Sequence, residues 1–116
     1  LVKLNFDGAF LDASMTGAWG FIARNHEGQG LLAGAGRLQP AHDAVCAEAE
    51  ACRAALQAAS MHGITHCQIK TDSTILVTAL KSRSYDQAIG GVLFKVLRDL
   101  ISLEFVQVEI MFSPRS

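Results

Sequence analysis

The stretch Asp43–Asp72, DAVCAEAEACRAALQAASMHGITHCQIKTD, decides the fold. Ala47, Ala51, Ala54, Ala55 and Ala58 recur at helical spacing, and Asp43 stands where an N-cap belongs. The pattern predicts a helix over 44–61, stopped at Gly63. HCQIKT at 66–71 then reads as a strand. A strand reached through a long helical crossover pairs in parallel with an earlier one. Upstream, Val2, Leu4 and Phe6 alternate with Lys3, Asn5 and Asp7, a half-buried strand that Gly8 is expected to end. A turn around 12–16 leads to a second strand, GAWGFIAR at 17–24. The turn cluster Asn25-His26-Glu27-Gly28 leads to a third strand at about 30–37. These three form an antiparallel meander. Downstream, Asp72-Ser73 starts a short helix ending near Ser82, a further helix covers about 88–100, and a fifth strand covers 105–112 with Pro114 beyond it. The order β-β-β-α-β-α-α-β implies an α/β fold. Its mixed five-stranded sheet has three antiparallel strands, then two parallel ones, with helices on its faces.

Composition bounds the rest. Half of the 116 residues are hydrophobic (50%) and 18% are charged, which suits one domain with a real core. No apolar run approaches the roughly 20 residues that cross a bilayer, so no membrane partner is expected. The chain starts on a strand-like alternation without an initiator Met. It reads as a piece of a larger protein, in an intracellular setting that does not separate nucleus from cytoplasm. A net charge of −1 disfavours tight non-specific nucleic-acid binding. A local basic patch from Lys70, Lys81, Arg83 and Arg98 stays open. Cys46, Cys52 and Cys67 are odd in number and lack metal-site spacing, so buried free thiols are expected and a zinc site is not.

Three acids stand out by position. Asp7 ends the first strand, Glu48 lies one turn into the long helix, and Asp72 ends the fourth strand. Strand ends beside helix starts are where α/β proteins build sites. Glu48 continues a helix stripe of Cys52, Leu56 and Ala59, and a carboxylate there is costly to bury without a partner. Converging carboxylates repel one another and so bind protons or cations. Oxygen-only ligands suit Mg²⁺ or Mn²⁺, and two such ions about 3.5–4 Å apart can drive phosphodiester hydrolysis. Each acid also has a plainer reading. Asp7-Gly8 fits a turn, Glu48 a solvated helix face, and Asp72-Ser73 a helix cap.

The joint pattern of NFDGAF (5–10), GAWGFIARNHEGQ (17–29), AEAEACRAALQAA (47–59), IKTDS (69–73) and FSPRS (112–116) resembles the plant ribonuclease H-like domain family. That family, found beside reverse transcriptases of retrotransposon origin, belongs to the ribonuclease H-like superfamily. The resemblance implies a carboxylate site for two Mg²⁺ ions, with Asp7, Glu48 and Asp72 as catalytic and metal-binding residues. It implies hydrolysis of the RNA strand of an RNA–DNA hybrid, and supporting hydrogen bonds from Ser73 and Asn5. The family continues past the Pro-Arg segment into a final helix with a fourth acid, absent from these residues, and a histidine often found before Pro-Arg is Phe112 here. Two other expectations therefore stand beside the nuclease: a catalytically silent module in a larger plant protein that contacts a protein partner, and a nucleic-acid binder without catalysis.

Overall fold

The computed structural model describes residues 1–38 and 43–114. Strands β1 (Val2–Leu11), β2 (Thr16–Arg24) and β3 (Gly30–Leu38) form the meander, with a short 3₁₀ turn at Asp12–Ser14. Helix α1 (Ala44–Met61) crosses to β4 (His66–Thr71). Helices α2 (Thr74–Lys81) and α3 (Gly91–Glu104) lead to β5 (Gln107–Phe112). The five strands lie in the order β3-β2-β1-β4-β5. The β1–β2 and β2–β3 pairs are antiparallel, and β1–β4 and β4–β5 are parallel. This is the mixed sheet expected from the sequence. Among the described residues no helix is long and apolar enough to cross a membrane.

α1 forms where its signals place it. The Asp43 side chain accepts from the Cys46 backbone N–H at 2.8 Å, and Gly63 takes the left-handed φ of +76° that releases the chain. Ala47, Ala51 and Ala55 are buried, as are Cys52, Leu56 and Ala59 on the stripe that Glu48 continues. Small side chains let the helix lie close on the sheet. Leu4, Ala23, Cys67 and Ile69 meet it from β1, β2 and β4, and Phe94 and Leu97 of α3 complete the core. The three cysteines are free and buried.

Three expectations need correction. Gly8 does not end β1, which runs on to Leu11 against β2. The parallel partnership with β4 covers only Val2–Asn5, so Asp7 stands just past the point where β1 loses that neighbour. The second helix of the β4–β5 connection begins at Gly91, not at 88, and continues to Glu104. Gly90 takes φ +88° as its N-cap, and a Cβ at Gly91 would stand 2.0 Å from the Asp86 carbonyl oxygen. That tight approach holds residues 85–90 in turns. Phe105 is accordingly the buried C-cap of α3, and β5 starts at Gln107. The Pro-Arg motif extends beyond the described residues at Arg115 and Ser116.

Candidate active site

The Asp7-Gly8 pair is not a turn. Both residues lie inside β1, paired with Gly20 and Trp19 of β2. Gly8 faces the first turn of α1 at close quarters. A Cβ there would meet the Ala47 carbonyl carbon at 2.5 Å and the Glu48 nitrogen at 2.6 Å. The missing side chain lets the backbone of β1 touch the helix at the residue before Glu48. This contact draws Asp7 and Glu48 into one neighbourhood.

Asp72 arrives from the other side. β4 turns alternate residues, Cys67, Ile69 and Thr71, toward the helices. Asp72 follows at once, ahead of Ser73, whose hydroxyl accepts from the Leu76 backbone N–H at 3.1 Å and caps α2. Asp72 is thus fixed between a strand end and a helix cap, but is not itself the cap.

Glu48 feels the charges of both other acids. Glu48 is half-buried, and its carboxyl is pushed up to about 7. Desolvation is the largest cause, followed by the negative charge of Asp72. A hydrogen bond with the Asp72 side chain and the charge of Asp7 push the same way, while the Thr71 hydroxyl opposes them. Glu48 therefore sits within reach of both other acids, nearer to Asp72. The solvated-face reading of Glu48 does not hold.

Thr71 was not among the residues singled out from the sequence. It is buried, and its hydroxyl donates to Glu48 Oε2 at 3.2 Å while accepting from the Ser73 backbone N–H at 3.2 Å. A signal for it existed. Thr71 closes an inward-facing row after Cys67 and Ile69, and a buried hydroxyl needs a partner. The support expected of Ser73 comes through its backbone N–H, by way of Thr71. Asn5 lines the site beside Asp7.

Asp7 and Asp72 open onto a shallow cleft of about 200 Å³ that they line with Asn5, Phe6, Lys70, Thr71 and Ser113. It is too small and open for a sequestered small ligand, which commonly takes roughly 300–1,000 Å³. A larger hollow of about 470 Å³ lies elsewhere, between Trp19 and Phe21 and the outer side of α1. It borders none of the three acids. Among the described residues no three His, Cys, Asp or Glu side chains stand in a ready ion-holding cluster. The donor chemistry nonetheless fits a hard divalent cation: carboxylate oxygens, with the Glu48 carboxyl pushed up to about 7 first by burial and then by the charge of Asp72. The basic patch is weaker than its residue list suggests. Arg98 grips both oxygens of Asp86 at 2.8 Å and donates to the carbonyls of Ala79 and Ser82, so its guanidinium is committed inside the fold.

No curated protein matches the chain significantly. Solved structures do. The N-terminal RNase H domain of a Mycobacterium tuberculosis protein, solved as a fusion with maltose-binding protein, superposes with a TM-score of 0.86 at 18% identity, covering 98% of this chain and 82% of that one. RNase H1 from the archaeon Halobacterium salinarum gives 0.78 at 24% identity over 98% and 86%. LC11-RNase H1, isolated from compost by a metagenomic approach and solved with an RNA/DNA hybrid, gives 0.87 at 15% identity over 99% and 86%. At these identities the likeness is one of fold: the sheet and helices are those of ribonuclease H. The family described as reverse transcriptase-like matches residues 5–116, nearly the whole sequence, and the chain belongs to that family.

Proposed function

We propose that this chain is a ribonuclease H-type domain that hydrolyses the RNA strand of RNA–DNA hybrids with divalent metal, using Asp7, Glu48 and Asp72. One observation carries the reading: Asp7 and Asp72 line one cleft, and Glu48, held by Thr71 of that cleft, has its carboxyl raised to about 7 by burial and then by the charges of Asp72 and Asp7. Neighbouring acids, which repel until a cation arrives, are an arrangement with a use. The hybrid bound by LC11-RNase H1, which shares the fold, supports the substrate class. The motifs NFDGAF and IKTDS support a plant, retrotransposon-type lineage within the superfamily. The chain is read as one domain of a larger intracellular protein.

In this reading Asp7, inside β1, and Asp72, just past the end of β4, would hold the ions, and Glu48 would complete the set from α1 once it loses its proton. Bound Mg²⁺ or Mn²⁺ would supply an activated water and charge stabilisation at the scissile phosphate. Thr71 orients Glu48 through its hydroxyl and favours the ionised form. Lys70, paired in register with Asn5, borders the cleft and can attract a phosphate. The cleft's shallowness suits a polymer that lies across the sheet end, and the 2′-hydroxyls in the minor groove would mark the RNA strand.

The test is cleavage of an end-labelled RNA–DNA hybrid in Mg²⁺ and in Mn²⁺. The wild-type chain should cut the RNA strand only. Asp7→Asn, Glu48→Gln and Asp72→Asn should each lose at least about a hundredfold of rate. Equal cutting by the wild type and these variants, or none by the wild type in either metal, would remove the nuclease reading.

A further inference from the structure

Helix α3 is apolar on two sides. Its inner side, with Phe94 and Leu97, packs into the core. A second row, Val92, Val96 and Leu103, recurs at spacings of four and seven and so follows one line along the helix. Val92 and Leu103 are each 81% exposed, and Val96 is 43% exposed. Ile89, 70% exposed, and Val106, 74% exposed, stand just beyond the two helix ends. A surface helix ordinarily turns polar residues outward, and an exposed apolar row there, interrupted here by Asp99 between Val96 and Leu103, marks a docking face. Asp99 falls on the line of the row between Val96 and Leu103, Lys95 lies beside the row one turn earlier, and both are exposed. Among the described residues neither belongs to an ion pair.

We propose that this row is the face of a homodimer in which two copies of α3 pack antiparallel about a twofold axis near the helix middle. Val92 then meets Leu103 of the partner subunit, and Val96 lies close to the axis. Lys95 comes beside Asp99 of the partner subunit, and symmetry makes that ion pair twice. The charge pattern selects this occupant. Opposite charges one turn apart on either side of the helix middle complement themselves when the helix is reversed, whereas a parallel pairing would set Lys95 against its own copy. Antiparallel packing also opposes the two helix dipoles favourably. One helix face covers less than the roughly 800 Å² per partner of a standard interface, so the dissociation constant should be on the order of 10 µM or weaker. The dimer does not depend on the nuclease reading, because no residue of the row borders the acid cleft.

Sedimentation equilibrium from about 1 to 500 µM spans the range needed. The wild-type chain should pass from monomer to dimer. The double variant Val92→Glu/Leu103→Glu should stay monomeric with an unchanged circular dichroism spectrum. Lys95→Glu or Asp99→Lys alone should weaken association about tenfold by placing like charges together, and the two combined should restore it. These swaps alter exposed side chains only, so they decide the matter even if the double glutamate variant misfolds. A wild type that is monomeric throughout overturns the proposal and leaves the row to a different protein. A dimer indifferent to the single swaps, or not restored by the combined swap, overturns it as well.

Discussion

At the scale of single residues, Glu48 is held at a cost. Its folded pKa of about 7 lies above the ordinary value of 4.5, so the folded chain binds this proton more tightly than the unfolded chain does. The stabilising effect is full below about pH 4.5 and is lost as pH rises through about 7. Glu48→Gln keeps an oxygen that can accept from Thr71 and removes the charge. At pH 8 it should stabilise the fold by about 1–2 kcal/mol, allowing for solvent screening of a half-exposed group, and by almost nothing at pH 4. Thermal melts at the two pH values check this. A variant more stable yet inactive would carry the signature of a working site. Thr71→Val removes a neighbour whose hydroxyl favours ionised Glu48. The pH profile of hybrid cleavage should then move upward, and the fold should lose about 1–2 kcal/mol from the unmade hydrogen bonds. A profile that stays in place would mean that Thr71 serves stability alone. Glu48 was legible as a site residue because a carboxylate interrupts an apolar stripe. Thr71 was not, because a threonine on a strand is ordinary until its burial and its partner are seen.

At the scale of elements, contact between β1 and α1 sets the geometry of the site. Gly8→Ala would drive a methyl group into the Ala47 backbone, at a cost of about 1–3 kcal/mol. It should also separate Asp7 from Glu48, so cleavage should fall more than stability alone explains. Urea denaturation read beside hybrid cleavage distinguishes the two effects. A second clasp joins α2 and α3. Arg98 on α3 holds Asp86 and two carbonyls at the end of α2, with both charged side chains mostly buried. Arg98→Ala should cost about 2–3 kcal/mol, measured by the same denaturation, and leave hybrid affinity unchanged. Element boundaries were readable where local chemistry marks them, as at Asp43 and Gly63 for α1 or Ser73 for α2. The start of α3 was misread because helical periodicity continues through Ala88 and Ile89, while the Gly90-Gly91 pair overrides it. The end of β1 was misread because Asp-Gly imitates a turn. Only the distant backbone of α1 shows why a glycine stands in mid-strand.

At the scale of the whole molecule, strand order follows from the crossover, and the crossover was visible as one long capped helix between two strands. The meeting of positions 7, 48 and 72 depends on how closely α1 approaches the sheet, a distance that no local pattern encodes. A bound divalent ion should relieve the repulsion among the three acids. Millimolar Mg²⁺ or Mn²⁺ should therefore raise the melting temperature of the wild-type chain at pH 7.5, by a few degrees if the ion is about tenfold above its dissociation constant. Asp7→Asn and Asp72→Asn should respond less, and an equal response in all three would place the ion elsewhere.

The buried alanines of α1 have a consequence for how this domain can vary. Ala47, Ala51, Ala55 and Ala59 are the shims on which the helix rests, each one methyl group thick. Thicken one, by Ala51→Val for instance, and the whole rod must tilt or lift, carrying the carboxylate at its near end with it. The placement of Glu48 against Asp7 and Asp72 is thus tunable from positions that line no part of the acid cleft, and drift at those positions would shift this carboxylate before it unfolded the domain.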